Sequence, residues 1–336
     1  MLRRNLATII ALFVGLVIGP RLGAQSTTRS SPKPSVLGEG QGLAEVIVLV
    51  RDLESTIDMY RDVLGFTFPP RESISTLPSG LRPVGAKFER KNYLELRSVG
   101  DREKATQLRR RFVEFLEKHE GAFLVVLDVS SARSTADFLR ARGFTVNQES
   151  FPEFSVVSFE DYNLPIGSVR PGTTDASPTR ALVFSQYAPP AEAAEAKGKL
   201  EEERRHPNTA KGIQSVWIAV RDLETATKSY ESVGLRAGRR RNLPALGAIG
   251  REIDAGEAVI LLVQPRSKKG RVASFLADRG EGIMGVSIEV SELETARQLL
   301  ETHTNKQFAS YIGLYGKSLL IPSELTHGLW IEFFQK

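Results

Sequence analysis

The chain has 336 residues, a formal net charge of +5 and 41% hydrophobic residues, a composition typical of a folded soluble protein. This length corresponds to about two domains, each able to bury its own core. The sequence contains no cysteine, which excludes disulfides, thiolate metal sites and cysteine nucleophiles. Any imidazole ligand or catalytic base must come from four histidines: His119, His206, His303 and His327.

Residues 1–24 have the features of a secretory signal peptide. Arg3 and Arg4 precede an uncharged apolar run at 6–19, which is shorter than the roughly 20 residues of a membrane-spanning helix. We therefore expect cleavage after Ala24, export to the periplasm or the extracellular space, and no membrane contact after cleavage. The alternative is a membrane anchor formed by the uncleaved segment. Without residues 1–24 the net charge is +2, which gives no general argument for nucleic-acid binding.

A polar stretch separates this segment from the folded part. Residues 25–40 are rich in Ser, Thr, Pro and Gly, which predicts a flexible tether. The β-branched run at 46–50 then predicts a strand. A helix is expected to follow, because Leu53 and Ile57 begin an apolar series at helical spacing, and Gly65 is expected to end it.

An internal repeat organises the folded part. The segment VRDLESTIDMY at 50–60 recurs as VRDLETATKSY at 220–230. A Glu-Gly pair at 120–121 and another at 281–282 each precede a further strand and helix. Four strand-then-helix units result, and alternating extended segments after them predict local, mostly antiparallel pairing.

The repeat predicts two halves in tandem, at 41–187 and 212–336. Residues 188–211 between them open with prolines and continue as charged helix formers without an apolar face. This pattern predicts a surface linker with a short exposed helix.

Three motifs carry a resemblance to a known family: Tyr-x-x-x-Leu-Gly-Phe at 60–66, Tyr-Leu-Glu-Leu at 93–96 and His-Pro-Asn at 206–208. Together with the repeat they resemble the vicinal-oxygen-chelate superfamily of glyoxalase I, extradiol dioxygenases and bleomycin-resistance proteins. More narrowly, they resemble bacterial proteins with a glyoxalase-like domain. The resemblance implies an α+β fold of four βαβββ modules, paired into two halves whose curved, mostly antiparallel sheets surround clefts.

The resemblance also implies a divalent metal in such a cleft, held by His or Gln on a module's first strand and by Glu on its last strand. No first-strand position has His or Gln; these positions hold Glu45, Leu124, Ser215 and Gly285. The last-strand positions hold Glu95, Gly167 (unless 181–187 is the final strand), Ile260 or Leu261, and Glu332. The candidate metal ligands are therefore Glu45, Glu95 and Glu332, for Mn, Mg, Fe, Ni or Zn, and the residues leave the metal's presence and identity open.

Glu45 and Glu95 are also the candidate catalytic residues. They are expected to face one another within an apolar sheet, where two carboxylates share a cation, share a proton or act as base and acid. The alternative is a solvated position or a bond to an arginine. Two histidines are further candidates: His206, for which a capping role in the link is the alternative, and His327, which is otherwise a turn residue.

Two functions remain open from the sequence. The first is a metal-dependent lyase, isomerase or oxygenase that acts on a small oxygenated molecule. The second is a metal-free protein that binds and sequesters a small molecule, as the bleomycin-resistance proteins do. In both cases the partner is a small molecule. A monomer is expected, because each half brings its own pairing module.

Overall fold

The computed structural model describes residues 36–150, 154–160, 182–187 and 194–336. The predicted signal peptide, all but the last residues of the predicted tether, Gly167 and the beginning of the predicted linker lie outside these ranges. No helix among the described residues is long and apolar enough to cross a membrane.

The described residues of the first half form one seven-stranded sheet and four helices. The strands are β1 (Leu43–Leu49), β2 (Leu81–Lys87), β3 (Tyr93–Val99), β4 (Gly121–Asp128), β5 (Thr145–Ser150), β6 (Phe154–Glu160) and β7 (Leu182–Tyr187). The helices are α1 (Leu53–Asp58, continued by a π turn at Met59–Val63), α2 (Arg102–Leu108), α3 (Arg110–Lys118) and α4 (Ala132–Arg140). The strand order is β2-β3-β1-β4-β7-β6-β5.

The second half, with the helix that precedes it, has the same plan. Its described strands are β8 (Ala210–Ala219), β9 (Ala237–Leu243), β10 (Ala248–Ala255), β11 (Ala258–Pro265), β12 (Gly282–Val290), β13 (Ser310–Ile312), β14 (Lys317–Ile321) and β15 (Trp330–Gln335). The helices are α5 (Ala194–Glu203), α6 (Leu223–Ser232), α7 (Arg271–Arg279) and α8 (Leu293–Thr304). The strand order is β13-β14-β15-β12-β8-β11-β10-β9.

The predicted α+β class with two tandem halves and curved, mostly antiparallel sheets is confirmed, and each sheet also contains parallel pairs. In each half the first strands of the two modules pair antiparallel, as β1 with β4 and β8 with β12. Each first strand also pairs in parallel with the last strand of its own module. The first module departs in one detail, since it has three strands where the other modules have four. Its chain passes through Pro69 and Pro70 after the helix, and proline has no N–H for a strand ladder.

The repeated Val-Arg-Asp-Leu-Glu segment is a helix start. The Asp52 side chain accepts a hydrogen bond from Ser55 N, and Asp222 does the same for Thr225 N, so each aspartate caps its helix. The helix of the first module ends at Gly65, as predicted, with φ of +75°. The repeated sequence is therefore explained by the aspartate cap that each helix needs at its start.

Among the described residues the core has one large cluster, a smaller one on the opposite face of each sheet, and a further small one where Leu81 of β2 packs against α2 and α3. The large cluster joins both sheets to α1, α4, α6 and α8. We call the face of each sheet that is opposite the large cluster the inner face of that half. In the first half it carries Ile47 and Leu49 of β1 under Phe115 and Leu116 of α3. In the second half it carries Trp217 and Leu261 under α7, through Phe275 and Leu276. Helices α3 and α7 thus occupy part of each predicted cleft.

The register places the four predicted first-strand positions in the sheets. Across β1 and β4, Glu45 pairs with Val126 and Leu124 pairs with Ile47. Across β8 and β12, Ser215 pairs with Ser287 and Gly285 pairs with Trp217.

Candidate functional site

A pocket of about 300 Å³ opens on the inner face of the second half. We call it the second-half pocket. It is lined by residues of β8, β9, β11, β12, β13, β15 and the turns beside them: Trp217, Asn242, Leu243, Pro244, Ala245, Leu246, Leu261, Ser287, Tyr311, Ile312, Gly313, Leu314 and Glu332. This size and mostly apolar lining are typical of a site for a compact organic molecule.

Glu332 is the only carboxylate in the lining, and only 3% of the residue is exposed. Its Oε2 accepts a hydrogen bond from Ser287 Oγ at 2.6 Å, and its Oε1 accepts one from Tyr311 Oη at 2.6 Å. A buried carboxylate needs such donors, because burial otherwise disfavours the ionised form. Both oxygens of this carboxylate are therefore held by hydroxyl groups.

The hydrogen bonds continue from Ser287 into β8. Ser287 Oγ accepts from Ser215 Oγ at 3.0 Å and from Trp217 Nε1 at 2.9 Å. The indole N–H can only donate, and the Ser287 hydroxyl proton is donated to Glu332, so the direction of these hydrogen bonds is determined. The network fixes the indole ring of Trp217 as one wall of the pocket.

Tyr311 and Gly313 also determine the position of the Glu332 carboxylate. Burial, and next the Glu332 charge, raise the pKa of Tyr311 far above its ordinary value, so the phenol remains a donor. A Cβ at Gly313 would lie 2.4 Å from Glu332 Oε1, closer than any real contact. The absent side chain at Gly313 is therefore what allows the strand turn to approach the carboxylate.

The pocket mouth carries an exposed apolar side chain. Ile312, on the edge strand β13, is 80% exposed. Asn242, from the opposite edge strand β9, also lines the pocket. The two edges of the curved sheet therefore both contribute to the mouth.

The first half places Glu45 and Glu95 on neighbouring strands. Glu95 pairs in register with Ile47 of β1, and alternation puts Glu45 on the same face two residues away. Burial raises the pKa of Glu95 to about 7, the Arg97 charge opposes this shift, and the Glu45 charge adds to it. Arg97 forms an ion pair with Glu95 and lies over the Phe112 ring. A guanidinium thus occupies one side of this carboxylate.

The donor sets do not fit a family metal site. In the first half an arginine already neutralises Glu95, and in the second half Glu332 is surrounded by hydroxyl groups of serine and tyrosine. Glu332 also belongs to the other sheet from Glu45 and Glu95, so the three do not converge. Within the described ranges no group of three His, Asp or Glu side chains could hold a metal ion. Divalent metals in this chemistry require several nitrogen or carboxylate donors around one point.

His206 lies away from both inner faces. It is 8% exposed; its Nδ1 accepts from Thr67 N at 2.9 Å, and its Nε2 lies 2.9 Å from Lys87 O. Nε2 therefore carries the proton, and burial lowers the pKa of the ring to about 4. Asn208 of the same link donates to Leu64 O at 2.7 Å. The His-Pro-Asn motif ties the link to the end of the first module's helix.

His327 lies in a turn, with φ of +52°, where the two halves meet. Its Nδ1 is 3.1 Å from Glu120 Oε2, and Glu120 Oε1 accepts from Arg51 N at 2.6 Å. The hydrogen bond from His327 has the largest effect and lowers the pKa of Glu120. Partial burial opposes this shift, and the hydrogen bond from the Arg51 backbone adds to it. The ring thus contacts a carboxylate of the other half and does not contact Glu332.

Sequence reasoning missed several residues of this site. Ser287 and Tyr311 were not singled out as donors to Glu332, and Trp217 was not singled out as a donor to Ser287. Arg97 was not recognised as the partner of Glu95. One signal was present for Arg97, because it stands two residues after Glu95 and so shares its face. Tyr311 had no such signal, because it lies on β13, which is separated from β15 by β14 in the sheet.

Comparison with known proteins places the fold. The family model described as "Glyoxalase-like domain" matches residues 46–234. A hypothetical protein from Staphylococcus aureus is 10% identical, with a TM-score of 0.58 over 88% of this chain and 99% of its own. A 4-hydroxymandelate synthase mutant from Streptomyces coelicolor is 12% identical, with a TM-score of 0.57 over 88% of this chain and 92% of its own. No curated protein sequence matches the chain.

At these identities the two structures show the fold alone, and the family match covers more than half of the sequence. The chain belongs to the family of proteins with a glyoxalase-like domain.

Proposed function

We propose that the protein binds a small organic molecule in the second-half pocket without a metal ion. The alternative from the sequence, a metal-dependent lyase, isomerase or oxygenase, needs a donor set that the described residues of neither inner face supply. The observation that carries the proposal is the environment of Glu332. Its two oxygens are held by hydroxyl groups at the base of an otherwise apolar pocket.

The lining defines the chemistry of the ligand. A carboxylate oxygen that accepts one hydrogen bond still has a lone pair, so Glu332 can accept a further bond from a ligand N–H or ammonium group. The Trp217 indole and the leucines at 243, 246 and 261 favour an aromatic or aliphatic body. The preferred ligand is therefore a compact aromatic amine or a similar hydrogen-bond donor.

The two tryptophans of the chain provide a direct test. Trp217 lines the pocket, and Trp330 packs on the same inner face. Benzylamine added to the chelator-treated full chain should change tryptophan fluorescence with saturation, and benzyl alcohol should bind more weakly. Glu332→Gln should remove the preference for the amine. Equal binding of benzylamine to the wild type and this variant would reject the proposal.

A second candidate function is proton transfer by Glu95. Its pKa of about 7 is suited to a general acid or base at neutral pH, and Glu45 is the neighbouring carboxylate. Any turnover found for a small oxygenated substrate should then fall in Glu95→Gln and persist in Glu332→Gln. The reverse pattern would place the chemistry in the second half.

Export and a monomeric state are also part of the proposal. The basic start and apolar run at 1–24 support export, and the pairing of modules within each half supports a monomer. Cell fractionation and light scattering test these points. A cytoplasmic protein or a tight dimer would contradict them.

A further inference from the structure

We infer that the chain has a second binding site, for a small organic anion, in a cavity between its two halves. This inter-half cleft has a volume of about 860 Å³ and is lined by residues of both halves, including Arg51 and Glu120 from the first and Arg271, Arg279 and Trp330 from the second. It is separate from the second-half pocket, since no residue lines both. The inference therefore does not depend on the proposed function.

Three guanidinium groups face this cleft, and each is held by a backbone carbonyl. Arg51 Nε donates to Leu116 O at 2.8 Å, and Arg271 Nη1 donates to Ala245 O at 2.7 Å. Arg279 Nη1 donates to Glu120 O at 2.6 Å, across the two halves. A carbonyl orients a guanidinium without cancelling its charge, so each group keeps donors for another acceptor.

The structure gives these three groups no carboxylate partner. In the described part of the chain no carboxylate oxygen lies within 4.0 Å of the guanidinium nitrogens of Arg51, Arg271 or Arg279. Many other arginines of the chain do form such pairs, for example Arg97 with Glu95 and Arg241 with Glu252. Arg51 and Arg271 are exposed, whereas Arg279 is partly buried. An unpaired guanidinium is unusual at a partly buried position such as that of Arg279, because desolvation makes an opposite charge favourable.

Arg279 is the most deeply placed of the three. Burial lowers its pKa from the ordinary arginine value, and the charges of Asp278, Glu120 and Glu324 oppose that shift. Two glycines make room for it: a Cβ at Gly121 would lie 2.8 Å from Arg279 Nη1, and a Cβ at Gly328 would lie 2.6 Å from the same atom. Both glycines have positive φ, of +141° and +88°. The backbone of both halves is thus shaped around this guanidinium.

The carboxylates that line the cleft do not form ion pairs with the three guanidinium groups. Glu120 already accepts Arg51 N on one oxygen and contacts His327 Nδ1 with the other. Asp278 and Glu324 also line the cleft, and both are exposed. Lys118 brings the number of cationic side chains in the lining to four, against these three carboxylates.

The wall of the cleft indicates the rest of the ligand. Trp330 lies under the Arg271 guanidinium, whose Cζ is 5.4 Å from the ring centroid, and Phe275 is next to Arg279 at 5.8 Å. An arginine that lies over an aromatic ring is held in place by the ring and can still present its planar set of donors to a carboxylate or phosphate. The site therefore fits a phosphate ester or carboxylate that carries an aromatic or other apolar body.

Calorimetric titration of the full chain tests the inference, with phenyl phosphate, benzoate and inorganic phosphate as probes. We expect saturable binding of phenyl phosphate or benzoate, stronger than that of inorganic phosphate and weakened by salt. Whichever of the two binds more tightly identifies the head group. Arg51→Gln and Arg271→Gln should each weaken binding by about tenfold or more, since each removes a charge-assisted hydrogen bond.

Arg221→Gln is the matched control. Arg221 is the repeat equivalent of Arg51, and its backbone N donates to Glu281 Oε1 at 2.6 Å as Arg51 N does to Glu120, but it does not line the cleft. This variant and Glu332→Gln should bind the anion like the wild type. No saturation with either organic anion, equal affinity for inorganic phosphate, or unchanged affinity in Arg51→Gln and Arg271→Gln would each overturn the inference. Benzylamine binding is read separately, so failure of one site is distinguishable from failure of the other.

Discussion

Ser287 on β12 donates a hydrogen bond from Oγ to Oε2 of Glu332 over 2.6 Å, and the two residues are also partners in the parallel register of β12 and β15. The family's metal site would place a nitrogen or carboxamide ligand on a first strand, beside a glutamate on a last strand. Here the first-strand residue is a hydroxyl donor. The same geometry therefore satisfies the carboxylate with protons in place of a metal ion.

Replacing Glu332 should destabilise the second half. In Glu332→Gln one oxygen becomes an amide NH₂, which cannot accept from Ser287 or Tyr311, so a buried donor loses its acceptor. We expect a loss of about 1–3 kcal/mol in the free energy of unfolding. Urea unfolding measures this, with Glu231→Gln at an exposed helix position as control. A stability equal to wild type would mean that the hydroxyl network around Glu332 does not hold it.

A methyl group at Gly313 should displace the carboxylate of Glu332. The added Cβ would lie 2.4 Å from Glu332 Oε1 and from Ser318 Oγ, so Gly313→Ala should weaken benzylamine binding by about tenfold, the loss of one charged hydrogen bond. Gly85→Ala is the control, because a Cβ there meets nothing within 4 Å. Unchanged binding in Gly313→Ala would show that the ligand does not use this carboxylate.

Glu95 should make stability fall as pH rises. Its folded pKa of about 7 lies above the unfolded value of about 4.5, so the native state holds the proton more tightly. The stabilisation is complete below pH 4.5 and is lost as pH rises through 7. Urea unfolding between pH 5 and 8 should show this decline in the wild type and a weaker one in Glu95→Gln. The same pH slope in both proteins would contradict the assignment.

His206 should have the opposite effect at lower pH. Its folded pKa of about 4 lies below the ordinary value of 6.5, so the unfolded state takes up a proton first. Stability should therefore fall as pH drops from 6.5 toward 4. His206→Gln should have lower stability at pH 7, because the bonds to Thr67 N and Lys87 O change, and a flatter acid dependence. An acid dependence as steep as that of the wild type would exclude His206 as its source.

The arrangement of elements was predictable from the sequence because the signals are local. The Val-Arg-Asp-Leu-Glu repeat encodes an aspartate cap at Asp52 and again at Asp222, and Gly65 ends the first module's helix with a positive φ. Glu45 and Glu95 could be placed on one face, because alternation along strands follows from residue spacing. Such features need no knowledge of distant contacts.

The polar partners were less predictable, because they depend on register and on turns. The pairing of Ser287 with Ser215 depends on the register of β8 and β12, which shifts at irregularities along the two strands. Tyr311 reaches Glu332 from a separate strand. Arg51 and Arg279 come from different halves and line the same cleft where the halves pack together. Residue types and spacing do not encode these contacts.

The most direct test of the central claim is a benzylamine titration followed by tryptophan fluorescence, on chelator-treated full chain with and without added Mn, Mg, Fe, Ni or Zn. The same samples are followed by thermal unfolding, in wild type, Glu95→Gln and Glu332→Gln. We predict saturable binding that is equal with and without metal and is weakened in Glu332→Gln. Binding that requires a metal, or a saturable metal-induced rise in melting temperature that either variant abolishes, would contradict the account.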